Sequence, residues 1–217
     1  MMPQDSKQRI AAALALAGFE NWQPRVDVPK LNRPRSRPAG LPGQGQIAAV
    51  MILMYPGSPD NVAEREPNLV LTKRHSNLSK HAGQISFPGG RQDSGESLEQ
   101  TALRETFEEI GISQNQIEVL GQLNSVYIPP SDFTVTPFVG WYDRPPNFVR
   151  SEAEVAEIIE TSIAHLLDPT TMVFGDVKIE DGRTMSVPYY QIDAHQVWGA
   201  TALIVSELVE RLSQISG

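Results

Sequence analysis

Three glutamates within one turn of a predicted helix are the residues that most directly suggest chemistry. Glu105, Glu108 and Glu109 follow a glycine-rich loop that ends at Gly90. At 100° per residue, Glu109 lies about 40° and Glu108 about 60° from Glu105 around the helix axis. The three carboxylates therefore share one side of the helix, where they repel one another and need a compensating positive charge.

Two explanations fit this acidic cluster. It can be a solvated helix face on which Arg104, one turn before Glu108, offsets part of the repulsion. It can also be a site for Mg²⁺, which prefers one or two carboxylates together with water and substrate phosphate. Because solvated acidic faces are common on helices, the cluster alone favours the first explanation.

The spacing of the surrounding residues shifts this balance toward a metal site. The segment from Gly90 to Ile112 follows the pattern G-x5-E-x7-R-E-U-x-E-E-x-G-U, in which U is a bulky aliphatic residue. Every fixed position matches except the first U, which is Thr106. This pattern is the Nudix box, and a match at so many positions has a low false-positive rate. The chain therefore resembles the Nudix hydrolase family.

The resemblance implies a fold and a reaction class. The fold is of the mixed α and β class, an α/β/α sandwich with a mixed β-sheet flanked by helices. The reaction is the cleavage of a nucleoside diphosphate linked to another moiety, with Mg²⁺ or Mn²⁺ as cofactor. Such ions neutralise pyrophosphate oxygens and lower the pKa of an attacking water.

The resemblance also implies roles for individual residues of the box. The implied metal ligands are Glu105, Glu109, Glu108 and the carbonyl of Gly89. The implied catalytic residues are Glu105, Glu108 and Arg104, with Arg104 orienting Glu105 through a charge-assisted hydrogen bond. Glu96 supports the loop or a second metal, and a purely bracing role stays open for both Glu96 and Arg104.

A second pattern immediately precedes the box. The segment 70–90 resembles L-L-T-x-R-[SA]-x3-R-x3-G-x3-F-P-G-G, which is the additional signature of the coenzyme A pyrophosphatase branch of the Nudix family. Two positions depart from it, because His75 replaces a small residue and Ser79 replaces the second arginine. Thr106 within the box is common in this branch, and the similarity extends over about residues 45–215.

The branch resemblance implies a substrate. The expected reaction converts coenzyme A or acyl-coenzyme A into 3′,5′-ADP and 4′-phosphopantetheine or its acyl form. Arg74 and Lys80 are the expected substrate-binding residues, since both can contact phosphate, although an ordinary basic loop is the alternative. Another Nudix pyrophosphatase activity, such as one on ADP-ribose, and a non-catalytic nucleotide-sensing Nudix module remain the alternative functions.

The general base is not specified by the motifs. Glu105 is one candidate, and Nudix enzymes can also recruit an acid from a later loop. The segment "RSEAEVAE" offers Glu152 and Glu154 for that role. Since exposed acids are frequent, a solvated surface position is the alternative for either loop residue.

The elements that must position these residues are readable from the pattern. Ser97 with Gln100 forms a capping box and Gly111 can end the helix in the left-handed conformation. The predicted core face of this helix comprises Ala102, Leu103, Thr106, Phe107 and Ile110. The flanking segments "QIAAVMILMY" and "NLVLTKR" predict two strands of a hairpin. Further strands, a hairpin at "EDGR" and a terminal helix follow.

Composition limits the domain organisation and the partners. We expect an N-terminal helix and Pro-rich arm at 1–43 and a Nudix domain at 44–217. The net charge of −8 argues against a general nucleic-acid binder, and no apolar run is long enough for a membrane span. The absence of cysteine excludes thiolate metal sites. We therefore expect a cytoplasmic protein, and the family resemblance implies a small-molecule substrate. The oligomeric state stays open, with a homodimer as one option.

Charge is distributed unevenly along the chain. Residues 1–80 contain 11 Lys and Arg against 6 Asp and Glu, which gives +5 and leaves −13 for the remainder. A basic segment beside an acidic remainder suits an anionic substrate that binds at a metal-loaded acidic site. Uneven surface charge without a function is the alternative.

Overall fold

The fold is that of a computed structural model of the chain. The structure describes residues 3–20, 22–23, 45–57, 66–75, 83–178 and 182–215. Three features singled out from the sequence lie outside these residues, namely Ser79, Lys80 and residues 24–44 of the Pro-rich arm.

The described residues form helices and strands in an irregular alternation. The helices are α1 (Pro3–Leu14), α2 (Leu98–Ile110), α3 (Ile163–Leu167) and α4 (Gly199–Gln214). The strands are β1 (Gln46–Tyr55), β2 (Asn68–Arg74), β3 (Ile85–Ser86), β4 (Gly89–Arg91), β5 (Glu118–Gln122), β6 (Val126–Ile128), β7 (Phe133–Trp141), β8 (Val155–Ser162), β9 (Met172–Lys178), β10 (Thr184–Ile192) and β11 (His195–Trp198). None of these helices combines the length and the apolarity that crossing a membrane requires.

Strand β1 is the centre of the main sheet, which is mixed. Along one edge, β1 pairs in parallel with β7 from Gln46 to Met54. Along the other edge it pairs antiparallel first with β4 and then with the start of β2. The strands β3 and β8 extend the sheet beyond β2, and β5 and β6 extend it beyond β7. The predicted antiparallel pairing of the first two strands is confirmed.

Apolar residues on both faces of β1 create two cores. Met51 and Leu53 pack with Ala102 and Ile110 of α2 on one face of the sheet. Ile52 and Met54 alternate with them and belong to the larger core on the other face, to which α1, α3 and α4 contribute. Successive residues of a strand point to opposite faces, so an unbroken apolar run serves both cores. The prediction of a mixed sheet flanked by helices is confirmed.

A second, three-stranded sheet is formed by β9, β10 and β11. The strands β9 and β10 pair antiparallel from Met172 to Lys178, as the hairpin signal at "EDGR" predicted. Residues 179–181 at the tip lie outside the described residues. Helix α4 packs against this sheet and contributes Leu203, Ile204 and Leu208 to the larger core.

Both ends of α2 are stabilised as the sequence predicted. The Ser97 side chain accepts a hydrogen bond from the Gln100 backbone N–H at 3.1 Å. The Gln100 side chain in turn accepts one from the Ser97 backbone at 2.8 Å, which completes the capping box. Gly111 ends the helix at φ 76°, in the left-handed region that glycine adopts without strain.

The buried face of α2 differs from the predicted one. Phe107 was expected in the core but is 52% exposed, whereas Glu109 is only 2% exposed. The buried residues of the helix are Thr101, Ala102, Thr106, Glu109 and Ile110. The helix is rotated toward Glu109 because Thr72 and Arg74 on β2 offer that carboxylate polar partners, which periodicity alone does not reveal.

Helix α1 packs into the same core as the rest of the described chain. Ile10 and Ala13 are fully buried members of the larger core. The Arg211 guanidinium of α4 donates a hydrogen bond to the carbonyl of Leu14 at 3.1 Å and lies over the ring of Phe19. The division at 43 and 44 stays a prediction, but α1 is in close contact with the domain that follows it.

This packing predicts that the N-terminal helix contributes to the stability of the domain. Ile10→Ala should lower the free energy of unfolding by about 2–4 kcal/mol, because it opens a cavity in the core. Urea denaturation followed by circular dichroism measures the change. Gln8→Ala, at an exposed position of the same helix, is the matched control, and an equal response of both variants would contradict the packing.

Candidate active site

The glycine-rich loop brings its backbone directly against the acidic helix. Strand β4 pairs with β1 so that Gly89 lies opposite Val50 and Gly90 opposite Ala49. A Cβ atom on Gly90 would stand 2.5 Å from the Glu105 carboxyl carbon, and one on Gly89 would stand 2.4 Å from the Ala49 carbonyl oxygen. Gly89 therefore requires glycine because a Cβ atom would meet backbone, whereas a side chain at Gly90 would displace the Glu105 carboxylate. The Glu105 carboxylate therefore packs directly against the backbone of Gly90.

Arg104 connects the acidic residues of the box. Its guanidinium donates two hydrogen bonds to the Glu96 carboxylate, at 2.7 and 3.1 Å. The same group donates to Glu105 at 2.8 Å and to Glu108 at 3.0 Å. A further bond to the Arg91 carbonyl at 3.1 Å ties it to the loop. The hydrogen bonds from Arg104 lower the pKa of Glu96 to about 2.

Glu109 is buried against β2, where it has two polar partners. The Thr72 hydroxyl donates a hydrogen bond to Oε2 at 3.0 Å. The Arg74 guanidinium lies 3.6 Å from Oε1. Burial raises the pKa of Glu109 to about 7, although Thr72 and Arg74 both act to lower it. Burial also raises the pKa of Glu105, against the effect of Arg104.

A further acidic residue, Glu154, lies close enough to Glu105 and Glu109 to affect both electrostatically. Its negative charge contributes to the raised pKa of both Glu105 and Glu109. Glu152 is exposed, whereas Glu154 is half-buried. Of the two loop acids predicted from the sequence, the structure therefore brings Glu154 close to the box.

The turn that carries Glu154 is tied to both elements of the site. Backbone N–H groups of Val149 and Ser151 donate to the carbonyls of Ile110 and Glu109, at 3.0 and 2.9 Å. These bonds satisfy carbonyls at the end of α2 that lack partners within the helix. The His75 backbone N–H donates to the Glu154 carbonyl at 2.8 Å, which ties the turn to β2. Glu154 is thereby held at a defined position.

Two features of this arrangement were missed by the sequence reasoning. Thr72 matched the second motif without being given a role, and the burial of Glu109 was not expected. The alternation of side chains along β2 could have indicated both features. Thr72 and Arg74 are two residues apart on the strand, so both side chains lie on the same face of the sheet, where they can contact a buried carboxylate. The position of Glu154 depends on tertiary hydrogen bonds and has no comparable signal.

The donor set of the site consists mainly of carboxylate oxygens that are paired with arginines. Within the described ranges, no three acidic or histidine side chains are grouped so as to hold a metal ion as they lie. Glu105 and Glu108 are paired with Arg104, and Glu109 with Arg74. The carboxylate oxygens nevertheless fit Mg²⁺ or Mn²⁺ in type. Mutual repulsion among Glu105, Glu109 and Glu154 marks a negative charge that such an ion would offset.

A glycine loop and a capped acidic helix on a mixed sheet define this site as that of a Nudix hydrolase. The NUDIX domain model matches residues 48–176, more than half of the chain, and the protein belongs to this family. Membership supports hydrolysis of a pyrophosphate bond in a small-molecule substrate. Nudix hydrolases generally use divalent metal ions such as Mg²⁺ or Mn²⁺.

Several known proteins are similar to this chain. The uncharacterized Nudix hydrolase NudL of Citrobacter koseri is 36% identical over 201 residues, which cover 89% of this chain and 90% of that protein. The NudL protein of Photorhabdus laumondii is 35% identical over 152 residues, 70% and 80% of the two chains. The crystal structure of a MutT protein from Methanosarcina mazei has a TM-score of 0.48 at 17% identity, covering 80% of this chain and 96% of that one.

The raised pKa of Glu109 predicts how the stability of the metal-free protein depends on pH. Since the folded protein retains this proton up to about pH 7 and an unfolded glutamate loses it near its ordinary pKa, stability falls as the pH rises between these values. Relative to Glu109→Gln, which stays neutral, the wild type should lose at most about 3 kcal/mol between pH 4.5 and 8.

Urea denaturation of both proteins with a chelator present, at intervals across this pH range, measures the difference. The comparison with the isosteric variant removes the contributions of all other titrating groups. A difference in unfolding free energy that stays constant with pH, or grows in favour of the wild type, would contradict the burial of an ionisable Glu109.

Proposed function

We propose that this Nudix hydrolase cleaves the pyrophosphate bond of coenzyme A or acyl-coenzyme A. The products are 3′,5′-ADP and 4′-phosphopantetheine or its acyl form. The observation that carries the proposal is the position of Arg74, a residue of the coenzyme A signature, at 3.6 Å from the buried carboxylate of the Nudix box. A phosphate group in contact with this guanidinium would lie beside the acidic residues.

The roles proposed for the box follow from the contacts around it. Glu105, Glu109 and Glu108 would hold Mg²⁺ or Mn²⁺ together with the Gly89 carbonyl, and the bound ion would polarise the diphosphate and acidify the attacking water. Arg104 keeps Glu105 against Gly90 through its 2.8 Å hydrogen bond and is itself fixed by Glu96. Glu108, which is half exposed, can turn toward the cation with little loss of burial.

The reaction also requires a proton acceptor. A water oxygen forms a bond to phosphorus, the bridging P–O bond breaks, and the proton of the water passes to a carboxylate. We assign this role to Glu154 ahead of Glu105 and Glu152. Glu105 is engaged by Arg104, and Glu152 is exposed, whereas Glu154 is half-buried and its charge acts on both Glu105 and Glu109.

This assignment predicts different effects for the two loop acids. Glu154→Gln should lower kcat by about 100-fold or more, because the variant cannot accept the proton. Glu152→Gln should retain nearly the wild-type rate. Steady-state assays over a range of pH compare the two variants with the wild type, and a larger loss in Glu152→Gln would contradict the assignment.

Substrate choice depends partly on residues beyond the box. Lys80 is proposed as a second phosphate contact, and both it and Ser79 lie outside the described residues. His75 occupies a position that the signature reserves for a small residue, and its backbone binds the turn of Glu154. These departures bear on coenzyme A specificity, whereas the cleavage chemistry depends on the box. A cytoplasmic location is proposed as well, in keeping with a metabolite substrate.

The proposed reaction is tested by identifying the products. With coenzyme A and Mg²⁺ or Mn²⁺, the purified protein should release 3′,5′-ADP and 4′-phosphopantetheine, detected by mass spectrometry. Glu105→Gln should reduce the rate by at least about 100-fold, since the variant loses a proposed metal ligand. Faster cleavage of ADP-ribose or dGTP would contradict the substrate. Binding of coenzyme A without any product under either metal would instead indicate a nucleotide sensor.

A further inference from the structure

Both oxygens of the Glu109 carboxylate have partners on strand β2. Thr72 and Arg74 reach it because they are two residues apart and share the face of the sheet that α2 covers. The Thr72 hydroxyl is a neutral donor, at 3.0 Å from Oε2. Arg74 is a cation, at 3.6 Å from Oε1. Glu109 therefore has a counter-charge supplied by the protein itself.

The two arginines of the site are held very differently. Arg104 is anchored by short hydrogen bonds to Glu96 and to the Arg91 carbonyl, in addition to its contacts with the box. Among the described residues, the Arg74 guanidinium has Glu109 as its carboxylate partner, at a distance beyond that of a normal hydrogen bond. Its side chain is also 28% exposed. Arg74 can therefore leave this position with little loss of contacts.

A divalent cation on Glu109 and the guanidinium of Arg74 compete for the same carboxylate. Two positive charges within a few ångströms of each other repel strongly in a partly buried site. In the structure the acids are paired with arginines, Glu109 with Arg74 and Glu105 with Arg104. A cation bound at Glu109 would therefore weaken the long Arg74–Glu109 contact, whereas the short contact of Arg104 with Glu105 can persist.

We propose that Arg74 is an exchangeable counter-ion of Glu109, which a divalent cation displaces and which then binds a phosphate of the substrate. This inference rests on the proposed function. In the metal-free protein Arg74 offsets the buried negative charge, and in the loaded protein it is available for the diphosphate. Binding of the metal and binding of the substrate then favour one another, since each requires the same movement of Arg74.

The exchange is tested by titrating Mg²⁺ alone into three proteins by isothermal calorimetry. These are the wild type, Arg74→Gln and Lys73→Gln, all at the same pH and ionic strength. Lys73 is the matched control, because it removes the same charge one residue away. Its side chain pairs with Glu157, at 3.7 Å, and points to the opposite face of the strand.

The exchange predicts that Arg74→Gln binds Mg²⁺ about tenfold more tightly than Lys73→Gln, since a competing cation is lost. In the metal-free state Arg74→Gln should melt at a lower temperature than Lys73→Gln, and Mg²⁺ should raise its melting temperature more. With coenzyme A as substrate, Arg74→Gln should raise KM while Lys73→Gln leaves KM unchanged.

Two results would overturn the exchange in distinguishable ways. If all three proteins bind Mg²⁺ with the same affinity, or Arg74→Gln binds it more weakly than Lys73→Gln, Arg74 is not a competitor. The metal-dependent reaction then still stands. If the wild type binds no divalent cation, the proposed function and the exchange are both wrong.

Discussion

The burial of the Glu109 carboxylate between α2 and β2 is the interaction on which the rest of the site depends. A buried carboxylate is costly without positive charge or hydrogen-bond donors nearby. Thr72 and Arg74 supply these in the structure, and burial still raises the pKa of Glu109 to about 7. In the proposed function, a divalent cation would offset this negative charge.

The fold supplies the rigidity that such a site requires. Strand β1 contributes apolar side chains to cores on both faces of the sheet, so the strands next to it are held firmly. The pairing of β4 with β1 places Gly90 against Glu105, and the capping box fixes the start of α2. The turn from Val149 to Glu154 is hydrogen-bonded to the carbonyls at the C-terminal end of α2. The glutamates of the box are thus carried by one helix, α2, whose two ends are fixed by the capping box and by this turn.

Much of this arrangement was predictable from local signals. The strands, both ends of α2 and the mixed sheet follow from periodicity, capping residues and glycine, which act over a few residues. The orientation of α2 on the sheet was predicted incorrectly, with Phe107 inward and Glu109 outward. Phe107 was predicted to be in the core because its side chain is apolar. Polar groups on β2, which is distant in sequence, instead favour the burial of Glu109. The position of Glu154 likewise depends on backbone hydrogen bonds that tie its turn to α2 and β2, which no local pattern encodes.

The measurement that bears most directly on this site asks whether Glu105 and Glu109 jointly hold a divalent cation, with Arg74 displaced from Glu109. A crystal structure of the protein soaked in Mn²⁺, with anomalous scattering recorded at the manganese edge, provides this measurement. We expect an anomalous peak coordinated by oxygens of both glutamates, with Arg74 moved away from Glu109. A peak elsewhere, or no peak while Arg74 and Glu109 stay paired, would contradict the account.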